Sequence, residues 1–290
     1  MKKINFLFIS LIISICSIQA QLLWKISAKN LKHPSYLFGT HHLIPIQFLD
    51  SINGLFKVFN ESETVVGEIV LNRIDTSTKI HQAAYMPTNK KVTDFLNQAD
   101  FKLVDTELKA VLNIGLKEVS MLKPSMILSM YEMEKYKKLT GFSENNQSDS
   151  YFQLVAAEKD KKIIGLETIE EQIALLFDTG SLERQTEMLV ESIRQNEKMA
   201  TDLLTINKLY KAGKLNELLI FSKTKTSISD YTEDEFRKMV DDRNKKWVIK
   251  LAQLLHESSC FIAVGALHLP GQNGIIKLLE NESYILTPVR

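Results

Sequence analysis

Two stretches of this 290-residue chain place an imidazole three residues after a glycine that closes an apolar run. In the first, Tyr36-Leu37-Phe38 leads into Gly39-Thr40-His41-His42. In the second, the run 260–264 ends at Gly265, followed by His268, Leu269, Pro270 and Gly271. The same grammar carries two carboxylates, in Val66-Gly67-Glu68 and in Ile164-Gly165-Leu166-Glu167. Two imidazoles with one or two carboxylates make a ligand set for a divalent cation. Imidazole suits zinc, manganese, cobalt or iron, and carboxylate shifts the preference toward harder metals. A bound ion lowers the pKa of its water and polarises a carbonyl, while a carboxylate off the metal takes the proton. His42, His268, Glu68 and Glu167 are therefore the candidate metal ligands, with Glu68 also a candidate base. A His-Glu-x-x-His helix, the common zinc-protease arrangement, is absent from the sequence.

These side chains need elements to carry them. Each apolar run before a glycine reads as a strand, and ligands in open α/β sheets collect outside the carboxyl ends of strands. Glycine there tolerates positive φ and close backbone approach. Residues 22–27 and 35–38 read as strands joined by a hairpin, and 64–66, 162–164, 260–264 and 284–286 as further strands. An apolar stripe predicts a helix over 48–59. Residues 75–139 read mainly as helices, one opened by Pro124 at its first turn. Asp149 is the expected N-cap of a helix over 151–159. Thr168 with Glu171, and Thr232 with Glu235, have capping-box spacing. Residues 181–256 are helical almost throughout, and 274–279 predict the last helix. The fold class expected is α/β (α+β): a central mixed sheet with many surrounding helices, a largely helical middle region, and Gly-x-x-His turns at strand carboxyl ends.

Composition bounds the setting. An apolar fraction of 44% and a charged fraction of 24% are those of an ordinary globular protein. Lys2 and Lys3 precede an apolar run over 4–15, and Ala20 offers a small residue for cleavage, so residues 1–20 read as a secretory signal peptide and 21–290 as a single exported domain. An uncleaved membrane anchor stays open as the alternative. Cleavage leaves Cys260 as the one cysteine, read as a small buried hydrophobe. A near-neutral chain without a basic stripe gives no reason to expect nucleic acid as a partner. His33, His81 and His256 lack the surrounding grammar and are read as surface residues.

The stretches 36–43, Val66-Gly67-Glu68, 164–172, Arg243-Asn244 and 264–271 together resemble the TraB/PrgY/GumN family, which includes the Tiki membrane-anchored metalloproteases. The resemblance spans nearly all of the chain after the leader. It implies metal-dependent peptide hydrolysis, with His42, His268 and Glu68 at the metal site and the Arg-Asn pair on the late helix at Arg243 and Asn244. In that role Arg243 stabilises an oxyanion or binds a substrate carboxylate in bidentate fashion; the bland alternative for both residues is a solvated helix face. The chain departs from the family at His41, where an apolar residue is more usual. Were the strand to continue, His41 and His42 would point to opposite faces, and the Gly-x-x-His spacing favours His42.

Two functions follow from different classes. One is an exported divalent-metal-dependent hydrolase, a peptidase by resemblance, using manganese, cobalt or zinc and a peptide or small-molecule substrate. The other is a non-catalytic protein that sequesters a peptide or small ligand in the same cleft. The sequence is silent on oligomeric state.

Overall fold

The computed structural model describes residues 22–71, 73–143 and 148–289. The expected leader over 1–20 lies outside them. Six strands, β1 (Leu23–Ser27), β2 (Ser35–Thr40), β3 (Thr64–Gly67), β4 (Lys162–Gly165), β5 (Cys260–Gly265) and β6 (Ile285–Pro288), form one mixed sheet in the order β4-β3-β5-β2-β1-β6. β1 pairs antiparallel with β2 and β6; β2, β5, β3 and β4 are mutually parallel.

Register decides where the functional residues emerge. Thr40 lies opposite Gly265, Gly67 opposite Gly165, and Val66 opposite Ile262. The four parallel strands therefore end along one rim, and every Gly-x-x-His or Gly-Glu segment leaves the sheet there. The β3–β4 ladder continues past its glycines: Leu166 N–H donates to Gly67 O at 2.9 Å and Glu167 N–H to Glu68 O at 2.8 Å. Two carboxylates distant in sequence thus become neighbours through the backbone itself.

Twelve helices are described: α1 (Leu55–Glu61), α2 (Arg73–Ala83), α3 (Gln98–Leu112), α4 (Pro124–Thr140), α5 (Ser148–Glu158), α6 (Ile169–Asp178), α7 (Leu182–Arg194), α8 (Asn196–Lys211), α9 (Leu215–Lys223), α10 (Glu233–Phe236), α11 (Asp242–Glu257) and α12 (Ile275–Asn281). None is long and apolar enough to cross a membrane. The sheet core takes in side chains of α1, α5, α11 and α12 around Phe38, Phe59, Phe152 and Phe261, whose rings meet edge to face, tilted or stacked. Fully burying each such ring contributes about 1.5–3 kcal/mol. A second apolar cluster, with Leu108, Ile127, Tyr131, Leu189 and Ile193, is built by α3, α4 and α7.

Most expected boundaries hold within a few residues, and both capping boxes form. Pro124 is the first residue of α4. The helix expected over 48–59 is two pieces, a 3₁₀ turn Ile46–Ser51 and then α1, because Gly54 adopts φ 73° and resets the chain direction between them. α5 begins at Ser148, ahead of the expected start, so Asp149 lies inside the helix and not at its cap. Between α10 and α11 the segment Arg237–Asp241 widens into a π turn, directly before Arg243. Cys260 is buried and free, as read.

Of the two reasons expected for the strand-end glycines, close approach holds and positive φ does not. Positive φ among the glycines is confined to Gly54, Gly141, Gly213 and Gly271. Gly39, Gly67 and Gly165 are required by close approach. A Cβ at Gly165 would lie 2.9 Å from Val70 N and 3.0 Å from Glu167 O, one at Gly39 3.1 Å from Ala266 Cα, and one at Gly67 would collide with the Gln153 amide.

Candidate functional site

Four elements deliver a compact polar cluster to the rim. Glu68 follows β3, Glu167 follows β4, His268 closes the 3₁₀ turn after β5, and Arg243 and Asn244 stand on the first turn of α11. Arg243 is at the centre. Its Nε donates to Glu167 Oε2 at 3.0 Å, and Nη2 donates to Glu167 Oε1 at 2.7 Å and Glu68 Oε2 at 2.6 Å. Nη1 donates to Met239 O at 2.9 Å and faces His268 Nε2 at 3.1 Å. A guanidinium has five N–H groups in a fixed fork, and all five are engaged. Beneath it lies Trp247, 4.5 Å from the guanidinium carbon and 4.5 Å from the His268 ring centre.

The tautomer of His268 follows from Asn244. The Asn244 amide nitrogen donates to His268 O at 3.2 Å and Asn273 O at 2.8 Å, so its oxygen is the atom 2.7 Å from His268 Nδ1. Nδ1 therefore carries the proton, and Nε2 offers a lone pair to Arg243. Burial drives the His268 pKa down to about 4, aided by Arg243 and opposed by Glu68, so the ring is neutral at pH 7.

Glu68 takes N–H donors from Gly265 at 2.8 Å and from Gln172 at 3.1 Å, in addition to Arg243. Burial works to raise its pKa, yet His268, Arg243, the Gly265 amide and His42 together hold it below the ordinary carboxylate value. With His268 uncharged at neutral pH, the guanidinium and the amide carry that effect there. Glu167 goes the other way: burial raises it, with Glu68 adding to the rise, and the bonds to Arg243 do not fully offset this. One guanidinium between two carboxylates leaves a single excess negative charge when both are ionised.

The two histidines of the first turn part company. β2 ends at Thr40, so strand alternation stops before them. His41 is half-buried, accepts Leu43 N–H at its Nδ1 at 3.0 Å and packs edge-on against Tyr210. Tyr210 in turn donates to Gly39 O at 2.8 Å, bracing the turn. His42 is exposed, two residues past the end of β2, and its charge acts on Glu68.

The sequence-predicted residues therefore largely converge. Glu68, Glu167, His268, Arg243 and Asn244 form one contiguous set of contacts, and the charge of His42 reaches Glu68. Arg243 is 9% exposed and Asn244 fully buried, so neither lies on a solvated helix face. His33, His81 and His256 are exposed, as expected. Gln172 and Trp247 were not assigned to the site from sequence. Gln172 bonds Glu68 and, at 3.4 Å, Glu167; its signal was its position one turn into α6, directly after the Gly-Leu-Glu stretch. Trp247, four residues after Arg243, is a buried core residue and is also the floor of the cluster.

For a divalent ion the donor chemistry fits: His268 Nε2 has the free lone pair a metal ligand needs, its other nitrogen is fixed by Asn244, and Glu68 Oε1 is 3.8 Å away. Against this, Arg243 already stands at that lone pair. Among the described residues, no three His, Cys, Asp or Glu side chains are placed to hold a metal as they stand.

The fold and the cluster define an α/β protein with a buried acid–guanidinium–imidazole site at the carboxyl rim of its parallel strands. Residues 22–288 match the profile of the TraB/PrgY/gumN family, and the chain belongs to that family. No curated protein and no solved structure matches it.

Proposed function

We propose that this family member is an exported, divalent-metal-dependent hydrolase acting on a peptide substrate. The observation that supports it best is the meeting of Glu68, Glu167, His268 and Arg243 at one rim, beside an exposed His42. Desolvated, mutually paired groups of this kind are how sites keep acids and bases in fixed protonation states. His42, Glu68 Oε1 and His268 Nε2 would hold the ion, of manganese, cobalt or zinc type, which when bound would supply a more acidic water and a polarised carbonyl. Were the ion held by the two histidines alone, Glu68, held ionised, would instead accept a proton at Oε1. Arg243 and Asn244 are positioning residues: Arg243 orients both carboxylates, and the N–H it now points at His268 Nε2 is the one a bound ion would release. Export is read from residues 1–20.

Saturation of Arg243 and its place at His268 Nε2 favour the second reading, a ligand-sequestering protein on the same cleft. The discriminating experiment strips the purified chain with chelator and titrates manganese, cobalt and zinc into wild type, His42→Ala and His268→Ala, then screens a peptide library with and without metal. At least tenfold weaker metal binding in each variant, with metal-dependent cleavage, supports the hydrolase. Equal metal binding by all three proteins ends the metal-site reading. Peptide capture without cleavage under every condition assigns the cleft to sequestration.

A further inference from the structure

The turn that carries His42 is gripped at both ends by tyrosines from two helices of the middle region. Tyr210 of α8 donates to Gly39 O at 2.8 Å, three residues before His42, and Tyr136 of α4 donates to Leu43 O at 3.0 Å, the residue after it. Both rings are buried, Tyr210 at 0% and Tyr136 at 1% exposure. A buried hydroxyl is costly without a partner, and each of these finds its partner on the same short stretch of backbone. Asn207 joins the two. It stands one turn before Tyr210 on α8 and donates its amide to the Tyr136 hydroxyl. Asn207 being the donor there, the single proton of the Tyr136 hydroxyl is left for Leu43 O.

Nothing regular fixes this turn otherwise. β2 stops at Thr40, and the next 3₁₀ turn begins at Ile46. Between them the backbone closes on itself: Leu43 N–H donates to His41 Nδ1 at 3.0 Å, and Ile44 N–H donates to His41 O at 3.2 Å. The His41 ring is wedged edge-on against Tyr210, with ring centres 5.2 Å apart, and Phe48 packs on the same tyrosine at 5.8 Å. The imidazole left outside this packing is that of His42, which is exposed. α4 and α8 supply no side chain to the cluster around Arg243. Their contribution is the path of the turn.

We infer that Tyr136 and Tyr210 are positioning residues for His42: their hydroxyls clamp the turn from α4 and α8 and set where the imidazole stands relative to the rim. A functional side chain on a loop keeps its geometry only as well as the backbone beneath it is held. The clamp also gives His41 a task of its own, as the wedge between the turn and Tyr210. The inference rests on the proposed role of His42 as a metal ligand, and its structural half is testable without any metal.

The test compares the full chain as wild type, Tyr136→Phe, Tyr210→Phe and the double variant, each replacement keeping the ring and removing the hydroxyl. In the chelator-treated proteins, amide hydrogen exchange is followed by NMR. Exchange at Leu43 and Ile44 should quicken about tenfold or more in the double variant, with the amides of β5 and α11 changing far less. Manganese, cobalt and zinc are then titrated into wild type, the double variant, His42→Ala and the triple variant. The double variant should bind roughly tenfold more weakly than wild type, and the same two replacements should cost nothing further once His42 is gone. A merely structural role for the tyrosines would leave a loss in both backgrounds. Unchanged exchange at Leu43 and Ile44, equal acceleration throughout the protein, or a metal-affinity loss that persists without His42 each overturns the clamp. Where wild type itself binds no ion, the metal reading falls by itself, and the exchange arm still decides the clamp. Tyr136→Phe alone carries both arms if removing the Tyr210 hydroxyl prevents folding.

Discussion

Asn244 holds His268 from two sides: its amide oxygen is 2.7 Å from Nδ1, and its amide nitrogen donates to the His268 carbonyl at 3.2 Å. One side chain thus fixes both the tautomer of the imidazole and the path of the turn carrying it. Asn244→Ala leaves the Nδ1 proton and the carbonyls of His268 and Asn273 unsatisfied in a buried place. A loss of about 2–4 kcal/mol is expected, from about 1–3 kcal/mol for each unmet group with partial relaxation. Urea unfolding would measure it; Asn244→Asp should lose less only where the carboxyl is protonated. An unchanged midpoint in the alanine variant would show that the amide does not fix the turn.

Removing the guanidinium should be worse than removing either acid. Arg243→Met leaves Glu68 and Glu167 facing each other with no counter-charge, at a cost of about 3–5 kcal/mol. Adding Glu167→Gln to that background should recover part of the loss. Arg243→Lys should not restore the wild-type midpoint, because an ammonium cannot reproduce a five-bond fork. Additive losses in the double variant would sink the shared-charge account.

Acid should unfold the metal-free protein through this cluster. The folded pKa of His268 lies below its unfolded value, so the stability it contributes is complete above about pH 6.5 and drains away as pH falls toward about 4. The full effect is on the order of 3 kcal/mol, at about 1.4 kcal/mol per unit. Glu68, also depressed, adds its own loss below the ordinary carboxylate range. Glu167 has the opposite sign and gives back part of this as it protonates. Stability measured by urea from pH 7 to 4 should therefore fall most between 6.5 and 4 in wild type and be flatter in His268→Gln. Parallel curves for the two proteins would contradict the buried neutral ring.

His42 should separate function from folding. It is exposed and lies beyond the end of β2, so His42→Ala should move stability by no more than about 0.5 kcal/mol, while metal affinity drops at least tenfold. His41→Ala should behave the other way, since its ring packs on Tyr210. A stability loss in His42→Ala equal to that in His41→Ala would reverse the assignment of the pair.

Glycine substitutions grade the rim. Gly165→Ala meets fixed backbone at 2.9 and 3.0 Å and should destabilise strongly. Gly265→Ala meets the Glu68 carboxylate oxygen at 3.2 Å, so it should fold yet displace Glu68 from the Gly265 amide. The signature is lowered metal affinity with a nearly unchanged melting point.

Much of this was legible because glycine, histidine and carboxylate recur in one local grammar. Each of these strands is four to six residues long and ends at its glycine or one residue past it, so the rim could be read before any pairing was known. Which protein groups those glycines approach was not legible. Contacts such as Gly165 with Val70 depend on which strands are neighbours, and spacing along the chain does not encode that. Arg243 was marked only by the family resemblance, since a charged residue among Asp241, Asp242, Lys245 and Lys246 has the local pattern of a wet helix face, and its central place was not legible. Asp149 misled for the converse reason: a capping residue type sat one place inside a helix begun by Ser148.

The order of the strands also bears on how the protein is made. β5 is inserted between β2 and β3, yet it follows both, and β4, along the chain. Until it emerges, β2 and β3 have no common neighbour, and Glu68 lacks its Gly265 amide. A nascent chain in which β5 has not yet emerged therefore exposes two unzipped strand edges, a state prone to aggregation. Closure by contacts this distant along the chain is slow, which gives a holding chaperone a long interval in which to act on the polypeptide before it locks.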